Sequence, residues 1–220
     1  MTDWIWDGGR LCVDFLNTVR ERRTKPRECL ATPADLAGWL HQAGLAPVAD
    51  ARLRAGRSPV TESPVGAGAT TVTDARLRAG PERVVPVTES QLRAARALRE
   101  SIDRVLFAEV PRTQDVDLLN RWARAAHRRP PQLRVDPDGS VRAWSEDPAD
   151  PVRAALGALA VDAIRLRTED PAARIAVCGA STCGLRFVDT SPAGRRQWCS
   201  MRRCGNREKA RLHYRRRTDS

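Results

Sequence analysis

The chain has 220 residues, 41% hydrophobic and 30% charged, with 38 Lys+Arg against 27 Asp+Glu and a formal net charge of +11. That balance predicts a soluble globular chain long enough to bury a core and excludes a wholly disordered polymer. No apolar run approaches the roughly 18–20 residues of a membrane span, and Met1-Thr2-Asp3-Trp4 does not lead into a secretory signal, so a cytoplasmic protein with no membrane partner is expected.

Leu11, Phe15 and Val19 fall four apart, which predicts a helix over Leu11–Arg20 after the turn-forming Gly8-Gly9. Asp14, Asn17 and Thr18 lie on or beside its apolar face. They are candidates to line a ligand pocket; the plainer reading is that they satisfy buried backbone groups. Thr32-Pro33 reads as an N-cap and first helical residue, with Leu36, Trp39 and Leu40 inward and Gly44 as the stop. Residues 49–87 then carry a duplication: Asp50–Gly56 recurs as Asp74–Gly80, and Pro59–Ser63 recurs as Pro86–Ser90. Two copies cannot form a solenoid. Pro64, Gly66 and Gly68 break any helix after the first copy, so a flexible loop is expected.

Thr88-x-x-Gln91 is a capping box, opening a helix to about Glu109 with Leu92, Ala95, Ile102, Val105 and Leu106 on one face. Thr113 is expected to cap another, with Val116, Leu119, Trp122 and Ala126 inward. Gln132–Val135 and Ser140–Trp144 flank Asp136-Pro137-Asp138-Gly139 and predict a hairpin. Asp147-Pro148 is expected to open a long helix bearing Val152, Leu156, Leu159, Ala163 and Leu166. Pro171 marks a boundary. The fold class expected is a mainly α N-terminal domain with a small β-hairpin, residues 1–170, followed by a small C-terminal module, residues 171–220.

The charge is unevenly placed. All basic residues but Lys25 and Lys209 are arginine, a bias that genomic composition explains. Position is different. Residues 1–170 hold 26 basic and 24 acidic side chains, a net of +2, whereas residues 171–220 hold 12 and 3, a net of +9. A bias acting on the whole chain does not make that split, which points to a polyanionic partner for the C-terminal module.

That module also holds four of the six cysteines, as Cys178-x4-Cys183 and Cys199-x4-Cys204. Two thiolate pairs can complete a tetrahedron around one structural Zn²⁺. A reducing compartment disfavours disulfides; iron–sulfur ligation and redox chemistry stay open on spacing alone. Arg174–Val177 and Leu185–Val188 read as strands, Ser191-Pro192-Ala193-Gly194 as a turn, and Arg196–Trp198 as a return to the second pair. Asn206 then caps a helix with Glu208 in its first turn. Knuckle, hairpin and helix in that order are treble-clef-like. A site closed by four thiolates has no position for an activating water.

Trp198-Cys199-Ser200-Met201 and Cys204-Gly205-Asn206-Arg207, with Phe187-Val188-Asp189-Thr190-Ser191, resemble the CGNR zinc finger. Gly9-Arg10-Leu11-Cys12-Val13-Asp14-Phe15-Leu16-Asn17-Thr18 resembles the opening of the ABATE domain that precedes this finger. The two cover nearly the whole chain except the duplication. The resemblance implies a bacterial, stress-related transcription regulator with a DNA-binding zinc finger.

On the predicted last helix, Arg207, Arg211 and Arg215 form one stripe, with Lys209 and Arg216 on another side. Arg195, Arg196, Arg202 and Arg203 add charge near the cysteines. Such a surface suits phosphates. DNA is the partner expected, with the nucleoid as the location. An RNA or protein partner, with zinc only holding the scaffold, is the alternative. The N-terminal domain is expected to sense a signal, such as a small-molecule effector of unknown kind, or to form a homodimer. His41, His127 and His213 are scattered, and Gly66-Ala67-Gly68 lacks the Lys-Ser/Thr of a phosphate loop, so no enzyme is expected.

Overall fold

The structure, a computed structural model of the chain, describes residues 3–45, 86–126, 132–144, 148–168 and 174–218. The duplicated segment 49–87 falls outside them except for Pro86 and Val87, the latter half-buried against the core.

Helix α1 spans Leu11–Leu16 and is shorter than its periodicity suggests. The chain turns out of it at Asn17, whose side chain bonds the backbone of Arg186, 169 residues away. Val19 and Arg20 form strand β1, paired antiparallel with Arg27–Glu28, strand β2. Here tertiary contacts override a local helical pattern. Helix α2, Pro33–Gln42, starts as expected: Thr32 Oγ1 accepts from the Asp35 amide at 3.2 Å, and Asp35 Oδ2 accepts from the Thr32 amide at 2.8 Å. The same reciprocal cap between Thr88 and Gln91 opens helix α3, Glu89–Phe107. Each such cap contributes about 1 kcal/mol.

Helix α4, Thr113–Ala123, is rotated from the expected phase. Thr113 is its first helical residue and Arg112 its N-cap, without a side-chain cap bond. Asp115, Leu119 and Ala123 face inward while Val116 is exposed. The carboxylate of Asp115 decides the phase: Ser101 Oγ and the Arg104 guanidinium on α3 donate to it at 2.6–2.9 Å. Strands β3, Gln132–Val135, and β4, Val141–Trp144, form the predicted hairpin. Helix α5, Pro151–Thr168, begins later than Asp147-Pro148 because Asp150 Oδ1 takes the Arg153 amide at 2.9 Å. Val152, Leu156, Leu159, Ala163 and Leu166 are all buried.

Helices α1 to α5 pack around one core containing Phe15, Trp39, Leu98, Ile102 and Leu156. Buried Arg99 ties α3 to β2 through a bidentate pair with Glu28, at 2.8 and 2.6 Å.

The C-terminal module is a small α+β unit. Strands β5, Arg174–Val177, and β6, Arg186–Asp189, pair antiparallel. The return segment at 196–198 forms no strand; Gln197 instead accepts the Gly179 amide at 2.8 Å. A wide π-type turn, Met201–Gly205, leads into helix α6, Asn206–Thr218. The cap lies earlier than Asn206: Ser200 Oγ takes the Arg203 amide at 3.1 Å.

The β5–β6 hairpin has two occupied faces. Side chains alternate along a strand. Val188 and Ile175, paired in register, pack into the helical core. Phe187 and Ala176, also paired, pack with the cysteines. The hairpin is a wall shared by both regions.

Candidate metal centre and basic surface

The knuckle after β5 turns back on itself. The Cys178 amide donates to Leu185 O at 2.8 Å and the Cys183 amide to Ala180 O at 3.2 Å. Gly184 closes this turn at φ +68°, a conformation that favours glycine. The backbone and Cβ of the β1–β2 turn press against it, with Arg23 N 3.3 Å from where a Cβ would stand. On the other side, the wide turn after Ser200 carries Cys204 back toward Cys199. Gly205 stands there close under two side chains: a Cβ would come within 2.5 Å of Met201 Sδ, which can swing aside, and 3.1 Å of the Trp198 ring.

These turns bring Cys178, Cys183, Cys199 and Cys204 together, all buried, with their sulfurs within 4.8 Å of one another. Cys183 and Cys199 sulfurs lie 3.8 Å apart, and those of Cys199 and Cys204 3.7 Å. A tetrahedron with Zn–S arms of about 2.3 Å has edges of about 3.8 Å, whereas a disulfide needs about 2.05 Å. The four sulfurs therefore fit one structural Zn²⁺ and not two disulfides. Crowded together, the thiols shift one another's acidity. Hydrogen bonds from the Cys183 and Cys199 thiols pull Cys178 far below the ordinary thiol range. Its hydrogen bonds to Cys178 and Cys183 push Cys199 far above it, and burial pushes Cys204 up to about 12. Four buried thiolates repel each other, and a divalent cation removes that repulsion. Zinc here supplies folding free energy rather than a reacting water.

Cys12 and Cys29 lie elsewhere, buried in the helical core, and burial pushes the Cys12 thiol well up.

Asp14, Asn17 and Thr18 are all buried, and each engages backbone. Asp14 Oδ1 accepts from the Gly8 amide at 2.8 Å. Thr18 Oγ1 donates to Phe15 O at 2.7 Å and accepts from Arg99 at 2.9 Å. Asn17 accepts from the Arg186 amide at 2.8 Å and donates to Arg186 O at 2.9 Å, fastening β6 to the end of α1. Sequence reasoning placed these residues on a helix face but had no signal for their distant partner.

It also missed Arg186. This side chain bonds both carboxylate oxygens of Asp103 on α3, at 2.7 and 2.9 Å, and lies 5.3 Å over the Phe107 ring. Its +1 charge belongs to the joint between module and body, not to the free surface.

The other expected cations differ in what they meet. Arg196 serves the module: it stacks 4.5 Å over Phe187 and donates to the carbonyls of Trp198 and Cys199. Arg203 pairs with Asp7 at 3.4 Å, Arg207 reaches the Cys204 sulfur at 3.7 Å, and Arg211 bonds Glu208 at 3.0 Å. Arg195, Arg202 and Lys209 are exposed and meet no acidic partner among the described residues. The side chains of Arg215 and Arg216 lie outside the described residues.

Two family models match the chain. ABATE, described as "Putative stress-induced transcription regulator", matches residues 9–170, and the CGNR zinc finger matches residues 174–217. No curated protein matches. Among the described residues, no helix is long and apolar enough to cross a membrane.

Proposed function

Because the chain belongs to the ABATE family and carries a CGNR zinc finger, we propose that it is a transcription regulator that grips DNA through the zinc module. Residues 1–170 act as a second domain in this reading, coupling the grip to a signal or to self-association, and the protein works on the nucleoid. The supporting observation is the solvent-facing set Arg195, Arg202 and Lys209, with Arg203, Arg207 and Arg211 beside it, on a scaffold fixed by the metal. Guanidinium groups on a rigid support lose little order when they meet phosphate, and each phosphate neutralised releases counterions. The interior of the zinc site offers no open coordination position, so the module holds a surface instead of performing chemistry.

The test is a salt series of duplex-DNA affinity. The log–log slope should be about −0.9 per phosphate contact. Replacing Arg202, Lys209 and Arg211 with Ala should reduce it by about two to three contacts while zinc content stays at one per chain. An unchanged slope would sink this assignment. Crosslinking of the tagged protein to the genome separates a regulator, which gives discrete peaks, from a non-specific binder or a protein-docking module, which does not.

A further inference from the structure

The sequence divides the positive charge between a neutral body and a basic tail, but folding does not respect that division. The β1–β2 turn of the body lies against the zinc knuckle, and a cleft of about 330 Å³ opens between them. Arg20 and Arg27 line one wall. Arg203 and Arg207 line the other, with Thr182 and the zinc ligands Cys183 and Cys204 between.

Four arginine side chains line a cavity at the small end of ligand-site size. The Arg20 Nε–H is buried and has no hydrogen-bond partner, although the same side chain donates to Asp3 O. The Nε of Arg22 on the same turn is also buried without a partner, so the feature belongs to the β1–β2 turn and the cleft is judged by its lining. Counter-charges stand nearby. Glu21 stands 3.7 Å from Arg27, and Arg203 also meets Asp7 outside the cleft. A metallated four-thiolate site adds about −2. With Asp7 counted, the charges about the cleft come close to balance, so a bound phosphate takes arginine contacts from Glu21 and Asp7.

We propose that this cleft is a phosphate-binding site, held from one side by Arg20 and Arg27 and from the other by Arg203 and Arg207. The planar fork of arginine suits two oxygens of one phosphate. The phosphate has two sources: the backbone of a nucleic acid, which would rest on the function proposed above, or a free phosphate ester acting as an effector. In either case the ligand bridges the body and the module beside two zinc ligands.

The test uses the full-length, zinc-loaded chain with Arg20→Gln/Arg27→Gln and with Arg27→Gln alone. The second change falls on a side chain 54% exposed, so it spares the fold even where the double variant does not. Zinc content and melting are checked first. Inorganic phosphate is then titrated at constant ionic strength and followed by phosphorus line width, and duplex-DNA affinity is measured across a salt series. We expect the variants to weaken phosphate binding about tenfold, the loss of one charge-assisted contact. A DNA slope shallower by about 0.9 in the variants, with or without visible free phosphate binding, identifies the nucleic-acid backbone as the source. Weaker phosphate binding with unaltered DNA behaviour identifies a free phosphate ester. That result holds even where the wild type binds no DNA, in which case the regulator reading fails and the site stands. Variants indistinguishable from wild type in both measurements overturn the site.

Discussion

The helical body and the zinc module bury themselves with different materials. The body closes over Phe15, Trp39, Leu98, Ile102 and Leu156, side chains large enough to support a core by area alone. The module offers Ala180, Leu185 and Phe187, with Ile5 of the N-terminal segment packed on them, and the rest of that buried cluster is its four cysteines. So few apolar groups do not offset the entropy of ordering such a segment, and the metal supplies the difference. The body is a hydrophobic structure that tolerates its charges; the module is a metal structure that displays them.

The largest effect tests that contrast directly. Cys183→Ser, or a strong chelator, should remove the zinc and unfold the module, a loss on the order of 10 kcal/mol of folding free energy. Metal analysis should fall from about one zinc per chain, while far-UV circular dichroism keeps the signal of the body helices. Loss of both signals together would show that the two regions fold as one unit. The converse change is Leu156→Ala in α5. It should cost about 2–5 kcal/mol and lower the main melting transition with zinc content unchanged.

The joint between them comes next. Asn17→Ala leaves the partly buried amide and carbonyl of Arg186 without their side-chain partner, at about 1–3 kcal/mol. Hydrogen exchange should accelerate at Arg186 and its neighbours in β6, with the body helices unchanged. Equal acceleration throughout α3 would mean that the hairpin is a structural part of the body and not a wall between two units.

The smallest effect is pH-dependent. Burial pushes the Asp14 carboxyl up to about 7; Asp7 and Asp162 add to this and the Gly8 amide opposes it. Its folded value lies above the unfolded one of about 3.9. Its contribution to stability is therefore whole below about pH 4 and is lost as the pH rises through 7. Asp14→Asn keeps an oxygen for Gly8 and should melt a few degrees higher than wild type at pH 8, the gap closing toward pH 4. A constant gap across that range would assign the effect to packing instead.

Much of this was legible in the sequence where the decisive contacts are local. Thr32 with Asp35 and Thr88 with Gln91 set helix starts within one turn, and the cysteine pairs announce their ion by spacing. Three features were not. Val19 continues the helical period of Leu11 and Phe15, yet it forms a strand because Asn17 is claimed by Arg186. Val116 looked inward, yet Asp115 turns in because Arg104 and Ser101 are waiting for it on another helix. Arg20 and Arg27 count toward a neutral body by sequence position but sit against the zinc knuckle in space. In each case the partner is far along the chain, so periodicity and charge counting carry no information about it.

The shared wall has a consequence for synthesis. Ile5 packs with the zinc ligands, Asp7 pairs with Arg203, and Gly8 O receives the Val188 amide at 2.8 Å. On the ribosome, residues 5–8 emerge long before residues 185–204 exist to receive them. That segment must wait, unseated, until residues 185–204 have been made and the metal has been acquired. Without zinc, residues 5–8 would therefore stay loose together with the module, while the helices of the body pack. Proteases would find such chains by residues 5–8 as readily as by the module itself.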